Sequence, residues 1–343
     1  MQFVNHTPFP AMVFEARDHD DAPHHVLVLR ATMTLAHGPA RLSTAQRDLV
    51  LGDRHYGDPA ESSVLEESDL APYKPATDVL VRGTARPPGN APATAWEVTA
   101  SVGARASRLR VTGPRWWLRT DGDQWRLSDP LATAAVPLRY ELAYGGTARD
   151  EHREERCDDN HVGVGFAPRW WRDARDRIEA PQIEWPDDPL TSIDRPIAPA
   201  GFGATGRAWT SRRSLAGTYD ETWRTTKWPA IPGDFDMRYW CAAPRGLGGE
   251  GHLRGDERVR ITGVGSLPVI EFALPGHDVF ALLRHESGMM MPVKMKLDTV
   301  SIDADALEVG LVWRLVTGVE PAIRVIEARM EFREPAEVAR HGG

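Results

Sequence analysis

The sequence predicts an all-β protein, mainly antiparallel β-sandwich or sheets, with few short helices and a long irregular middle rich in Trp and Pro. Three observations carry this. Apolar residues recur at every second position over many short stretches, which is the period of a strand with one buried face. Gly, Pro and Asp separate those stretches as turns. Helix signals are sparse.

In chain order, Leu27, Leu29, Ala31, Met33 and Leu35 alternate with Val28, Arg30, Thr32 and Thr34, so the second set is expected to face water. Val79, Leu80 and Val81 form a short buried strand, entered through Pro72 and Pro75; proline fixes φ and cannot donate to a ladder, so these two brace an extended lead-in. Trp96, Val98, Ala100 and Val102 alternate, as do Leu138, Tyr140, Leu142 and Tyr144; each set predicts a strand. Leu307, Val309, Leu311, Trp313 and Leu315 form one face, and Ile326, Ala328, Met330 and Phe332 another, with Glu327, Arg329, Glu331 and Arg333 opposite. Asp303-Ala304-Asp305 reads as a hairpin turn; it lacks the glycine and terminal glutamate of a calcium loop. Thr218 to Glu221 has the form of a capping box, predicting a short helix that ends before Pro229. A second short helix is expected near Trp170 to Ile178, and fraying after Pro335.

The chain is read as one domain over 1–343, divisible into a β half (1–145), an irregular insert (146–258) and C-terminal strands (259–335). The C-terminal strands are expected to complete sheets begun near the N-terminus; whether Leu27–Leu35 and Glu327–Phe332 share a sheet is the check. The middle holds Trp170, Trp171, Trp185, Trp209, Trp223 and Trp228, followed by Trp240. Buried tryptophans pinning irregular chain are the expectation there.

Charge and composition narrow the function. A net charge of −8 over 343 residues argues against a nucleic-acid partner, and the arginines between Arg105 and Arg119 read as a solvated strand face. Two cysteines, Cys157 and Cys241, predict a reducing compartment and no zinc set, with a disulfide between the two as the alternative. The start lacks a basic region followed by an apolar one, and no run is long enough to span a bilayer. A cytoplasmic protein without membrane insertion is expected.

The search for chemistry yields little. Gly246-Leu-Gly-Gly-Glu-Gly251 fits a dinucleotide fingerprint but follows no strand and opens no helix pattern. Gly263-Val-Gly-Ser266 is not a nucleophile elbow. Asp158, Asp159 and His161 beside Cys157 read as a solvated charged turn, and His24-His25 as exposed. Asp234 and Asp236 sit among Pro232, Gly233 and Phe235 in a turn, although spacing alone does not bar an acid or base role. No catalytic residue, metal or cofactor is assigned.

Six motifs in order resemble one family. They are Asp69-Leu-Ala-Pro-Tyr-Lys-Pro-Ala-Thr-Asp-Val-Leu-Val-Arg-Gly83, then Gly163-Val-Gly-Phe166, then Pro199-Ala-Gly-Phe-Gly203 with Trp209 and Arg212-Arg213. Next comes Ala216-Gly-Thr-Tyr-Asp-Glu-Thr-Trp223, running through Trp228-Pro-Ala-Ile-Pro-Gly-Asp-Phe-Asp236 to Ala242-Ala-Pro244. Leu253-Arg-Gly-Asp-Glu257 and Leu297-Asp-Thr-Val-Ser-Ile302, ending in Val312-Trp-Arg314, complete the set. Together they resemble the domain of unknown function 2169 family, found beside type VI secretion spike genes in bacteria. Two departures stand out: Asn160 is followed by His161 where the family has Asn-Pro, and Arg245-Gly246 replaces an Asp-Gln.

The resemblance implies a cytoplasmic, non-enzymatic adaptor or chaperone that binds a secretion effector or the spike protein and assists loading. It implies no oligomeric state. The residues proposed to touch a partner are Tyr73, Lys74, Tyr219, Trp223 and Trp228. Those expected to serve the fold are Asp69, Pro72, Asp78, Gly83, Gly201, Gly217, Asp234, Asp236 and Gly255. Two alternatives stand beside this reading. One is a hydrolase of glycan or peptide using Asp69, Asp78, Asp234 or Asp236, whose mark is two carboxyls about 5–10 Å apart across an open groove. The other is a structural component of the secreted spike.

Overall fold

The structure is a computed structural model that describes residues 1–35, 40–122 and 124–332. Arg333 and the stretch after Pro335 lie outside the described residues.

The apolar alternation builds sheets, as the fold class predicts. The largest is six-stranded. Pro23–Thr34 runs through it between Ala11–Arg17 and Glu308–Gly318, antiparallel to both. Glu308–Gly318 continues into Lys296–Asp303, to which Asp78–Arg82 adds in parallel. Leu27, Leu29, Ala31 and Met33 stand opposite Leu315, Trp313, Leu311 and Val309 on one face. That face packs in one cluster with Trp96, Val98, Ala100 and Val102.

The latter four belong to a five-stranded antiparallel sheet. Its order is Ile183–Glu184, Arg105–Thr112, Ala95–Val102, Arg258–Thr262 and Val269–Ala273. It draws strands from the first 145 residues, from the irregular middle and from the C-terminal part. A four-stranded sheet of Gln2–Asn5, Ile323–Glu331, Asp278–His285 and Met290–Lys294 adds Val279, Ala281, Leu283, Ile326 and Ala328 to the same core. Gln124–Leu127, Arg115–Thr120 and Arg177–Ala180 make a three-stranded sheet with a separate small core around Trp117, Ile178 and Leu190.

The C-terminal hairpin 296–318 does complete the sheet of Pro23–Thr34. The pair chosen as a check does not share a sheet, because Ile323–Glu331 pairs in parallel with Gln2–Asn5 instead. Asp303 Oδ1 accepts the Asp305 and Ala306 amides and closes the hairpin as expected (3.1 and 2.8 Å).

Several expectations need correction. Leu138 to Tyr144 is not one strand: a 3₁₀ turn spans Tyr140–Leu142. Tyr140 is buried there edge-on against Trp209, and the Asn160 amide reaches the Tyr140 and Tyr144 carbonyls (2.8 and 3.0 Å), which fixes the turn. The helix after Thr218 is Glu221–Thr226, capped by Asp220 rather than Thr218, whose hydroxyl is held by Asp234. The helix near Trp170 is a single turn, Arg169–Arg172, because Ile178 and Ala180 are drawn into strand pairing. His25 is buried, not exposed. Trp185 and Trp209 are buried as expected, but Trp228 is exposed.

The largest departure concerns the face of the big sheet expected to be wet. Val28, Arg30 and Thr32 are buried, as are Val312 and Arg314. The chain from residue 47 to 74 covers that face, and its charges meet those of the strands. Among the described residues, no helix is long and apolar enough to cross a membrane.

Candidate partner-binding lobe and its ionic anchor

The buried polar face of the large sheet is organised by ion pairs. Arg30, in the middle of an apolar strand, donates to Glu66 Oε1 at 2.6 Å and to Asp69 Oδ2 at 3.1 Å. Asp69 also accepts the Val50 amide at 2.8 Å. Arg314 donates to Asp298 and, with its other nitrogens, to the Asp69 and Ala71 carbonyls, wrapping the chain before Pro72 around its guanidinium. Lys74 donates to Asp78 Oδ2 at 2.7 Å and to Thr299 Oγ1 at 3.1 Å. Arg212 reaches Glu67 and the Tyr239 carbonyl. Four buried cations, Arg30, Lys74, Arg212 and Arg314, thus face five carboxylates with buried side chains, Glu66, Glu67, Asp69, Asp78 and Asp298, and Arg54 and Arg82 reach Glu66 as well. This balance is what allows charge in an interior at all.

The charge states follow from the partners. Burial opposes ionisation of Glu66, but Arg30, Arg82 and Arg54 outweigh it and hold its carboxyl below the usual range. Burial pushes Asp69 up, and Arg30 and the Val50 amide offset this only in part. Burial alone would lower the Lys74 ammonium; Asp78, Asp298 and Glu67 raise it instead. The cavity among Arg30, Glu66, Asp69, Lys74 and Arg314 is about 50 Å³, the space of a few water molecules and far below the roughly 300 Å³ at which ligand pockets begin.

Asp78 links this layer to the middle of the chain. It is 1% exposed, and its two oxygens accept the Ala242 and Ala243 amides, each at 2.9 Å, beside Lys74. Arg212 clamps the same stretch from its other side through the Thr205 and Tyr239 carbonyls. Between these anchors the chain leaves the core and returns. The Asp236 amide bonds the Leu215 carbonyl at 2.9 Å, closing the base. Asp234 accepts the Thr218 amide (3.0 Å) and hydroxyl (2.7 Å) just above it. Gly217 has φ +77, and a Cβ there would stand 2.8 Å from Asp234 Oδ1 and 3.0 Å from the Phe235 amide; only glycine suits both the backbone and the space.

The lobe 216–236 is small but ordered from within. Helix Glu221–Thr226 starts on Asp220, which accepts the Trp223 amide at 2.8 Å. Trp223 is half-buried, donates its indole N–H to the Ala230 carbonyl at 2.9 Å and packs edge-on against Tyr219, ring centroids 4.7 Å apart. Around this pin the outer aromatics stay in solvent: Tyr219 is 54% and Trp228 67% exposed. Phe235, Tyr239 and Trp240 form a further aromatic contact set at the base.

The sequence-proposed residues therefore separate into two groups. Asp69, Pro72, Lys74, Asp78 and Gly83 lie in or beside the ionic layer, where Lys74 is buried and turned inward, while Tyr73 is exposed. Tyr219, Trp223, Trp228, Gly217, Asp234 and Asp236 come together in the lobe. Gly201 packs on the Tyr140 ring and Gly255 beside Leu297. Each of the four aspartates considered for catalysis accepts a backbone amide. Thr218 holds Asp234, and Arg238 holds Asp236, below the usual carboxylate range, the opposite of what a general acid needs. Asp159 accepts the Thr210 amide at 3.1 Å. The Gly246 loop is a turn seated on buried Leu247, with no helix after it.

Arg30, Glu66 and Glu67 were not singled out from the sequence. The available signal was a lone arginine inside Val26-Leu-Val-Leu-Arg-Ala-Thr-Met33: a charge at the centre of an apolar strand demands a buried partner.

A family model matches residues 20–314: DUF2169, uncharacterized protein conserved in bacteria. The chain belongs to this family. No curated protein and no solved structure matches it. Of the six motifs, five meet around Asp69–Gly83. Asp78 binds Ala242–Ala243, the Thr77 hydroxyl joins the Leu253 amide to the Leu297 carbonyl, and the Val81 amide bonds the Phe202 carbonyl. The Gly163–Phe166 motif lies apart, paired through Val164–Gly165 with Tyr144–Gly145. At the two departures, His161 follows a buried Asn160 that bridges the Tyr140 and Tyr144 carbonyls, and Arg245 makes a surface ion pair with Asp187.

Proposed function

We propose that the chain is a non-enzymatic adaptor that grips a protein partner through the lobe 216–236. Taken with the family resemblance, the partner is a bacterial type VI secretion effector or the spike protein it rides on, and the loading takes place in the cytoplasm. The observation that carries the reading is the exposure of Tyr219 and Trp228 on a lobe fixed from below by buried charges. Aromatics with few rotatable bonds, held in place before binding, are the residues that dominate interface energies. Tyr73 is exposed on the chain segment that wraps the ionic layer, so it is the further contact to test.

A hydrolase reading would centre on Asp69, whose carboxyl is pushed up by burial. The cavity beside it holds a few waters at most and admits no sugar ring. That supports the adaptor over the enzyme. The test is recovery of partners from the native host with tagged protein and with a Y219A/W228A variant. Spike or neighbouring effector should be captured by the first and lost by at least tenfold from the second. Recovery of neither by the unmodified protein, or equal recovery by both, refutes the proposal.

A further inference from the structure

One edge of the six-stranded sheet is Ala11–Arg17, and the outer rim of that strand is open. Two bonds at its ends fix which groups point outward. The Arg30 amide bonds the Pro10 carbonyl at 3.0 Å, and the Asp18 amide bonds the Ala22 carbonyl at 3.2 Å. In the register that pairs Ala11 with Leu29 and Arg17 with Pro23, both bonds fall on even-numbered residues of the outer strand. Bonded and unbonded positions alternate in an antiparallel ladder, so Met12, Phe14 and Ala16 direct their backbone groups at Pro23–Thr34. The N–H and C=O groups of Ala11, Val13 and Glu15 point away from it, and no described residue bonds them.

Two other edges are guarded. On the far side of the same sheet, the Val81 amide of Asp78–Arg82 bonds the Phe202 carbonyl. In the four-stranded sheet, the bond from the His285 amide to the Met289 carbonyl sets the same alternation. Pro292 then falls at an outward position of the edge strand Met290–Lys294 and withholds an N–H there. Ala11–Arg17 contains no proline, and no bulge breaks its register. Its seven residues make a rim of about 20 Å. Both of its faces are apolar at the start: Ala11 and Val13 pack on the main core, Met12 and Phe14 pack on Val28, Leu49 and Val312, and all four are half-buried. Glu15 follows, with its side chain 75% exposed and His25 Nδ1 at 3.9 Å. A row of outward donors and acceptors in this geometry is matched by another extended strand. The turn after Arg17 carries His19, whose Nε2 meets the Phe235 carbonyl at 2.6 Å, at the base of the lobe 216–236. The open rim thus leads into the element that exposes Tyr219 and Trp228.

The geometry points to the rim Ala11–Glu15 as the seat of an extended segment of the protein partner, which joins the six-stranded sheet as one further strand. This rests on the partner-binding reading of the lobe and names a second contact for it. The segment that fits carries apolar residues opposite Ala11–Phe14 and a Lys or Arg opposite Glu15. Amide hydrogen exchange on the full chain tests the rim without the partner, with the peptide acetyl-Lys-Val-Thr-Val-Thr-Val-Lys-amide as the probe. In the free chain, Ala11, Val13 and Glu15 should exchange about tenfold or more faster than Met12, Phe14 and Ala16, and the peptide should slow the first three by about tenfold. This readout uses the unmodified chain, so it does not depend on how any variant folds. E15P removes one outward N–H and leaves the bonds to Pro23–Thr34 in place. It should weaken binding of the labelled peptide, measured by fluorescence anisotropy, about tenfold with an unchanged thermal midpoint, and E15A should weaken it less. In capture from the native host, E15P should recover about fivefold less spike or effector than the unmodified chain. Protection by the peptide with no capture by the unmodified chain refutes the lobe and supports the rim. Absence of the alternation, absence of protection by the peptide, or equal capture by E15P overturns the proposal. A dimer in sedimentation that E15P dissociates also overturns it, since the occupant is then a second copy of the chain.

Discussion

Replacing Asp78 by alanine removes three interactions at once. The carboxylate is 1% exposed and accepts the Lys74 ammonium at 2.7 Å and the Ala242 and Ala243 amides at 2.9 Å. Without it, Lys74 remains buried with the Thr299 hydroxyl at 3.1 Å as its hydrogen-bond partner and with Asp298 and Glu67 acting on it only through space. Stranding one half of a buried ion pair costs about 3–5 kcal/mol, and each orphaned buried amide about 1–3 kcal/mol. These groups are in contact and do not add, so we expect a loss of about 5 kcal/mol, a large share of the roughly 5–15 kcal/mol that a domain has. Urea unfolding of D78A, K74M and K74M/D78A gives the loss and the coupling. The double variant should be less destabilised than the sum of the singles by about 2 kcal/mol, because it no longer strands a charge. Limited proteolysis of D78A should open the chain between residues 205 and 244 first, since Asp78 fastens its end. A loss under about 1 kcal/mol, or additivity within about 0.5 kcal/mol, would refute the ionic anchor.

Three further outcomes follow from the geometry. G217A should loosen the lobe, costing about 1–2 kcal/mol for the left-handed backbone alone, and should show as faster cleavage near residues 217–235 with the core strands unaffected. Glu327 is held down to about 2 by hydrogen bonds from Arg284 and Arg329. Its folded carboxyl binds fewer protons than the unfolded chain, so the stability it contributes is present above about pH 4.5 and is lost as pH falls toward 2; E327Q should flatten that acid limb in a plot of thermal midpoint against pH. W228A should leave the unfolding free energy from urea titration within about 0.5 kcal/mol of the unmodified protein, as surface changes do, while partner recovery falls; a large loss of stability would mean that the ring serves the fold.

The all-β class was legible because alternation with period two survives wherever one face meets a core, as at Trp96 to Val102 and Leu307 to Leu315. The same rule failed at Arg30 and Arg314, both of which are buried. Reading a polar residue as a wet one assumes that water is its only partner, and here the partners are distant segments of the same chain. Leu138 to Tyr144 failed for a related reason: a buried asparagine sixteen and twenty residues away captures two of its carbonyls, and nothing local reports that. In the lobe, the short helix after Thr218 was legible from the capping-box form, although the cap is Asp220; for Trp228 the sequence supports two readings, a buried tryptophan in irregular chain and a partner contact, and the ring is exposed. Tryptophan in irregular chain is usually inside; here the ends of the segment are tied together at Leu215–Asp236 and Thr218–Asp234.

The placement of charge also explains why the family motifs can be polar and yet structural. A covering layer of leucines would hold segments 47–74 and 205–244 against the sheet with at least equal stability, since buried ion pairs seldom surpass apolar packing. It would not hold them in one register. Asp78 can satisfy the Ala242 and Ala243 amides and Lys74 only in the observed seat, and Arg212 can reach Glu67, Thr205 and Tyr239 only there. A shift by one residue strands several buried charges at about 3–5 kcal/mol each, more than thermal motion supplies. The layer therefore fixes position more than it adds stability, and the element whose position it fixes is the one that exposes Tyr219 and Trp228. If the proposed binding through this lobe holds, its contacts are in place before a partner arrives, and that is where positional cost is most usefully removed.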